Sequence, residues 1–250
     1  MSLQKKKFFE HVLSLLYPKD VKCMFCAEEL NDKAYNKTCE ICYASLPFIK
    51  NSCLRCSAPM NENQSGVCLK CKRNNYYFKT ARSIFIYESP VLQIVHAIKY
   101  GGKRYLIEPV VKYLVDSYST WNVFPNIITC VPMFYKKEKE RGYNQSQLIA
   151  KSLAEKICVP FEELCIKIKD TSSQTNFNTK ERMENIKDSF AFNTKFKRLI
   201  KNKIICIVDD VITTGATTNE ISKILIENGA KECHVLTFAH TNLPQINIEN

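Results

Sequence analysis

A chain of 250 residues with 45% hydrophobic content is long enough for one large or two small domains with a real core. Its longest unbroken apolar run, Ile204–Val208, is far below the about 18 residues a membrane span needs. Lys5-Lys6-Lys7 and Phe8–Leu16 superficially resemble a signal peptide, but Glu10 and His11 interrupt the stretch and no small-residue cleavage site follows, which argues against membrane-spanning, secreted and disordered classes. The 36 basic and 25 acidic residues give a net charge of +11, suited to polyanionic partners such as nucleic acid, phosphates or acidic lipid, with a Lys- and Asn-rich composition as the equally weighted plain explanation.

From the N-terminus, Phe8, Phe9, Val12, Leu13, Leu15 and Leu16 follow a helical period that stops at Pro18. Four C-x-x-C units come next: Cys23/Cys26, Cys39/Cys42, Cys53/Cys56 and Cys68/Cys71, separated by 12, 10 and 11 residues. One such turn aims two sulfurs at one ion, and two turns close a tetrahedral four-cysteine site with no open position. The spacing predicts two structural Zn2+ sites, paired sequentially because each linker suits a hairpin; an interleaved cross-brace uses the same residues, and a disulfide framework is the other alternative. Eight thiolates holding two divalent ions would lower the net charge to about +7. The other cysteines (Cys130, Cys158, Cys165, Cys206, Cys233) lie among apolar neighbours and read as small core residues. Tyr76-Tyr77-Phe78 beside Lys72-Arg73 is either a base-stacking platform or a junction between domains.

Ala81–Glu88 reads as a strand, and Ser89-Pro90 starts a helix that Gly101-Gly102 ends. A second helix covers about 104–118, with a bend expected at Pro109. Asn126–Pro132 is a strand, followed by a charged loop over 136–141 and a helix at Ser146–Ile157. Leu164–Ile168 is a strand, 170–187 is polar and expected to be mobile, and Phe190–Phe192 is a short strand. Ile204–Val208, apolar and uncharged, is expected to be a central parallel strand; helix Thr217–Glu227 and strand Glu232–Ala239 complete a β-α-β unit. That order predicts an α/β fold built on a doubly wound parallel sheet.

The densest chemistry lies at Asp209-Asp210-Val-Ile-Thr213-Thr214-Gly215-Ala216-Thr217, where a buried strand gives way to two carboxylates and a hydroxyl-rich turn entering a helix. Ligands bind at this carboxyl edge in open α/β sheets. Free amides and hydroxyls at the helix start form a phosphate cradle, and two carboxylates nearby can accept from vicinal hydroxyls. Phosphate beside a diol describes ribose 5-phosphate.

This stretch resembles the phosphoribosyl diphosphate (PRPP) motif of type I phosphoribosyltransferases. With Val131-Pro132, Arg141-Gly142-Tyr143-Asn144-Gln145, Leu148-Ile149-Ala150, Gln174, Arg182, Asn185, Phe190 and the four C-x-x-C units, the chain resembles the ComF family over roughly 8–240. The resemblance implies a parallel-sheet type I phosphoribosyltransferase fold over 79–250 with a hood loop at about 169–188. Residues 1–78 would form the N-terminal helix and double zinc-ribbon-like module. Asp209 and Asp210 would hold the ribose 2′ and 3′ hydroxyls, Thr213–Thr217 the 5′-phosphate, and Arg141, Gly142, Asn144 and Gln145 the diphosphate, with Mg2+ accompanying PRPP. Gln174, Arg182 and Asn185 are site residues or loop anchors in equal measure, Tyr143 is expected to pack, and Lys99 could contact phosphate. Thr213 stands where purine-salvage members carry an Asp that serves as base, which argues against hypoxanthine or guanine salvage.

Three functions follow. The first is a PRPP-dependent phosphoribosyltransferase required for natural transformation, substituting at ribose C1′ and releasing diphosphate. The second is a non-catalytic PRPP sensor, and the third a single-stranded DNA-binding adaptor. Partners implied are PRPP, single-stranded DNA, a DNA-uptake helicase and other competence proteins. The expected location is cytoplasmic, reaching the inner membrane through partners.

Overall fold

The computed structural model describes residues 22–171 and 186–242, so the expected helix at 8–17 and Gln174, Arg182 and Asn185 lie outside the described residues. Packing groups the chain into two compact units, residues 1–46 and 47–250. The motif-based division at 78/79 remains a proposal about modular content.

In the first unit, Cys23 opens a tight turn in which the Ala27 amide bonds the Cys23 carbonyl at 2.9 Å, with Ala27 at φ 63°. Cys39 then caps α1 (Glu40–Ser45), its sulfur accepting from the Cys42 amide. In the second unit the Ser57 amide bonds the Cys53 carbonyl at 2.9 Å in the same turn, with Ser57 at φ 62°, and Cys68 precedes α2 (Leu69–Arg73) without a side-chain cap bond.

The remainder of the second unit builds the sheet. Its elements are β1 (Thr80–Ile86), α3 (Val91–Tyr100), a 3-10 turn (Arg104–Leu106), α4 (Ile107–Ser119), β2 (Ile127–Cys130), α5 (Tyr135–Arg141) and α6 (Gln145–Lys156). There follow β3 (Cys165–Lys167), β4 (Phe190–Phe192), β5 (Ile204–Ile212), α7 (Ala216–Glu227) and β6 (Glu232–His240). Four strands form a parallel sheet in the order β1-β6-β5-β2. The two interior strands are apolar through most of their length, as both-face burial demands. Helix α4 packs on β6 and β1, α6 on β5 and β2, and α7 on β6 and β5. Phe85, Tyr113 and Phe238 meet at 5.0–6.3 Å between ring centroids and anchor one core. β3 and β4 pair antiparallel at the root of the segment where the hood was expected.

Four expectations need correction. The loop expected over 136–141 is helix α5, with no buried residue; Lys, Glu and Arg favour helix, but a helix with no apolar face has no period to read. The strand expected to end at Val208 continues to Ile212, because Val211 and Ile212 pair with Ala239 and His240 and carry the two aspartates inside the strand. Cys158 is exposed, in a left-handed turn at φ 56° just after α6. The other four scattered thiols are buried, and burial raises each one's pKa, Cys165 and Cys233 to about 12. Pro109 sits in the first turn of α4, where its missing N–H leaves no bond unmade, so the bend expected there has no cause.

Candidate functional site

The carboxyl edge of β5 sits where a ligand site belongs in a parallel sheet. Successive strand residues turn to opposite sides, and Asp209 and Asp210 are accordingly held by different partners. Asp209 Oδ1 accepts from Ser146 Oγ of α6 at 2.6 Å and from the Asp210 amide at 2.9 Å. Asp210 Oδ2 lies 2.7 Å from Lys99 Nζ, at the end of α3. The pair is therefore unequal: Asp210 is neutralised by an ammonium, whereas neutral donors hold Asp209. Burial and the adjacent Asp210 charge push the Asp209 carboxyl up to about 7, against the pull of Ser146 and Lys99. Burial pulls the Lys99 ammonium down, but the Asp210 charge and hydrogen bond outweigh it and hold its pKa above the ordinary value.

After Ile212 the chain turns through Thr213 and Thr214 into α7, with Gly215 at its N-cap in the left-handed region at φ 77°, where a side chain would cost about 1–2 kcal/mol. Thr214 Oγ1 accepts from the Ala216 amide at 3.3 Å, and Thr218 Oγ1 donates to the Gly215 carbonyl at 3.1 Å. The first turn of α7 carries no acidic residue. Its amides and the helix dipole suit an anion.

The Arg141–Gln145 turn joins α5 to α6. Gly142 ends α5 at φ 80° and Asn144 caps α6 by accepting from the Ser146 amide at 3.0 Å. Asn144 Nδ2 donates to the Val131 carbonyl at 3.0 Å, and the Val131 amide donates to Val208 at 3.1 Å, so this turn is anchored beside Asp209. Arg141 donates to Gln145 Oε1 and its guanidinium lies 5.2 Å from the Tyr100 ring centroid. Tyr143 is buried, donates to the Ile98 carbonyl and lies under Arg104 at 4.3 Å, the packing role expected of it.

The structure thus brings Asp209, Asp210, Lys99 and the 213–217 turn together, and fastens the 141–145 turn to the same edge through Ser146 and Asn144. Sequence reasoning missed Ser146, which entered only as the first residue of an expected helix. It also missed Lys70 and Tyr76, both of which donate to the Thr214 carbonyl, at 3.0 and 3.3 Å. A signal for Lys70 existed in the cysteine repeat: the corresponding first-ribbon position holds Ile41. The stacking-platform reading of residues 76–78 fails, because Tyr76 and Phe78 are buried and only Tyr77 is exposed, at 44%.

The cysteines gather as Cys23, Cys26, Cys39, Cys42 and as Cys53, Cys56, Cys68, Cys71, the sequential pairing, with all sulfurs of a set within 4.8 Å of one another. All 13 thiols are free. Sulfurs of Cys26 and Cys39, and of Cys56 and Cys68, stand 3.8 Å apart. A tetrahedral zinc with Zn–S of about 2.3 Å sets that edge at about 3.8 Å, so both sets fit structural zinc. No described helix is long and apolar enough to cross a membrane.

Residues 12–72 match the double zinc ribbon domain, and residues 144–248 match the phosphoribosyl transferase domain. Competence protein F of Haemophilus influenzae is 26% identical over 223 residues, covering 86% of this chain and 94% of that protein. DNA utilization protein YhgH of Salmonella typhi is 25% identical over 209 residues, covering 81% and 90%. Competence protein ComFC of Bacillus subtilis is 25% identical over 208 residues, covering 79% and 81%. The chain is similar along most of its length to these competence and DNA utilization proteins, and it joins a match to the double zinc ribbon domain with a match to the phosphoribosyl transferase domain.

Proposed function

We propose that the protein acts in competence and DNA utilization as a PRPP-binding, phosphoribosyltransferase-like protein, with its site at the carboxyl edge of β5. The observation that carries this reading is the asymmetric pair Asp209/Asp210 beside a helix start whose N-cap glycine has φ 77°. In this reading the Thr213–Thr217 turn receives the 5′-phosphate and the two carboxylates receive the ribose hydroxyls. Arg141 with the backbone at Gly142 takes the diphosphate, while Asn144 and Gln145 hold that turn in shape. Oxygen donors suit Mg2+, and Asp209, which carries no ammonium partner, is the carboxylate best placed to serve it. When bound, Mg2+ supplies charge neutralisation to the departing diphosphate.

Catalysis, if this chain performs it, substitutes a nucleophile at ribose C1′: the C1′–O bond to diphosphate breaks, the bond to the acceptor forms, and diphosphate leaves. Thr213 stays neutral near pH 7 and cannot act as a base toward a purine, so the acceptor is sought outside purine salvage. A hood at about 169–188 closing over the ligand belongs to the same proposal. Single-stranded DNA, a DNA-uptake helicase and other competence proteins are its proposed partners, with a cytoplasmic location close to the inner membrane through them. The net charge of +11 favours a second role as a single-stranded DNA adaptor, and a PRPP sensor without turnover would use the same site.

Calorimetric titration of PRPP with Mg2+ tests the site in wild type and in Asp209→Asn/Asp210→Asn. Micromolar binding that the double variant loses is expected. A folded, zinc-loaded wild type that binds no PRPP overturns the reading and leaves the DNA adaptor. Diphosphate release then separates a transferase from a sensor.

A further inference from the structure

We propose that Lys70 and Tyr76 are positioning residues for the phosphate turn, so that the second zinc ribbon is a working part of the ligand site. The inference rests on the PRPP reading above.

The two side chains converge on one atom. Lys70 Nζ donates to the Thr214 carbonyl oxygen at 3.0 Å, and the Tyr76 hydroxyl donates to the same oxygen at 3.3 Å, across 144 and 138 residues of sequence. That carbonyl belongs to the peptide unit joining Thr214 to Gly215. A trans peptide is planar, so its C=O and N–H point in opposite directions. Pinning the carbonyl toward the ribbon therefore aims the Gly215 amide away from the ribbon, at the start of α7 where the 5′-phosphate is placed. One peptide unit with two donors on its oxygen cannot flip without losing both bonds. The Lys70 bond is charge-assisted and further polarises the amide it orients.

The rings complete the support. A Cβ added to Gly215 would lie 3.5 Å from Tyr76 Cε1 and 3.6 Å from Phe78 Cε1, so the two aromatic rings form the floor of the turn. The supports are themselves fixed by the ribbon. Lys70 lies in α2, between Cys68 and Cys71. Arg55, between Cys53 and Cys56, donates to the Tyr76 carbonyl at 2.6 Å. Arg55 in turn accepts from the Ala81 amide of β1 at 2.6 Å, and Ser57 Oγ accepts from the Ser83 amide at 2.9 Å. The first-ribbon counterpart of Lys70, Ile41, is 83% exposed and its side chain has no donor.

Generic loosening of the fold would weaken every ligand alike, whereas the proposal confines the damage to the phosphate turn. The test titrates ribose 5-phosphate and inorganic diphosphate separately, each with Mg2+, into the full zinc-loaded chain. For Lys70→Met/Tyr76→Phe, ribose 5-phosphate affinity falls at least about tenfold. Diphosphate affinity, which the 141–145 turn carries, stays within about twofold of wild type, and Lys70→Arg recovers most of the loss. Tyr76→Phe alone keeps the ring under Gly215, so it supplies the reading if Lys70→Met misfolds. Equal losses for the two ligands, or no loss at all in a variant whose wild type binds both, overturn the positioning role and leave PRPP binding standing. A wild type that binds neither ligand overturns PRPP binding itself, and the positioning role with it.

Discussion

The two zinc ribbons are near copies that differ in the residues between their cysteines and in how far those cysteines are buried. Cys23, Cys26, Cys39 and Cys42 correspond to Cys53, Cys56, Cys68 and Cys71, with the same left-handed residue four positions after the first cysteine, Ala27 at φ 63° and Ser57 at φ 62°. The same amide-to-sulfur bond recurs, from Cys39 to Cys23 at 3.5 Å and from Cys68 to Cys53 at 3.2 Å. Their surroundings differ. All four cysteines of the second ribbon are buried in a cluster with Tyr76, Phe78, Ile212 and Val235, whereas in the first only Cys23 is buried. The thiol geometry serves the ion; the residues between the thiols decide what the ribbon is attached to. The Ser57 hydroxyl and the Lys70 ammonium bond to the sheet domain, and the side chains of their counterparts Ala27 and Ile41 carry no such group.

Breaking one metal site in each ribbon exposes this difference. Cys53→Ser removes a ligand inside the core of residues 47–250, and the main thermal transition should fall by about 10 °C or more. Cys26→Ser removes an exposed ligand; one zinc is lost and the main transition moves by less than about 2 °C. Scanning calorimetry with zinc assay on both variants is the check, and equal shifts would mean that burial of the second site does not set its weight.

Converting one ribbon toward the other gives a finer measure. Ser57→Ala installs the first ribbon's residue and leaves the buried Ser83 amide without its 2.9 Å partner. The cost should be about 1–3 kcal/mol, read as a lower midpoint in urea. Ala27→Ser, on the exposed copy, should change nothing measurable.

What the sequence disclosed follows the same division. The ribbons were legible because thiol spacing is set by the ion, and the pairing Cys23–Cys42 and Cys53–Cys71 came from linker length alone. β5 and β6 were legible because both-face burial enforces an apolar run. Helix α5 was not, since no residue of Tyr135–Arg141 is buried and solvent imposes no period. The end of β5 was misplaced because charge reads as exposure, and only the pairing of Val211 with Ala239 shows that Asp209 and Asp210 stay in the sheet. Ser146, Lys70 and Tyr76 reach the site across 63, 144 and 138 residues, a relation no local pattern encodes.

A second pair of neighbours with unequal surroundings is Asp209 and Asp210, and pH separates them. The Asp209 carboxyl is raised to about 7 from an ordinary value near 3.8. Its folded form favours the proton, so its contribution to stability is complete below about pH 4 and is lost as pH rises through 7. Asp209→Asn should therefore match wild type near pH 4 and exceed it above pH 8, by about 3 °C or more in thermal midpoint. PRPP affinity should move the opposite way in wild type, rising from pH 6 to 8 as the carboxylate forms, and lie flat and weak in the variant. A stability difference that is the same at both pH extremes would show that burial does not raise this carboxyl.

The mildest exchange bears most directly on how ribbons acquire their roles. Ile41→Lys gives the first ribbon the residue that reaches Thr214 from the second. At 83% exposure, Ile41 contributes little to any core, so stability should stay within about 0.5 kcal/mol of wild type. Zinc content and PRPP affinity should be unchanged, because Ile41 is neither one of the clustered cysteines nor a residue of the proposed ligand site. Suppose instead that Ile41→Lys restored ribose 5-phosphate binding to Lys70→Met. The ribbons would then be interchangeable supports, and the fastening of the second through Arg55 and Ser57 would be irrelevant to the ligand site.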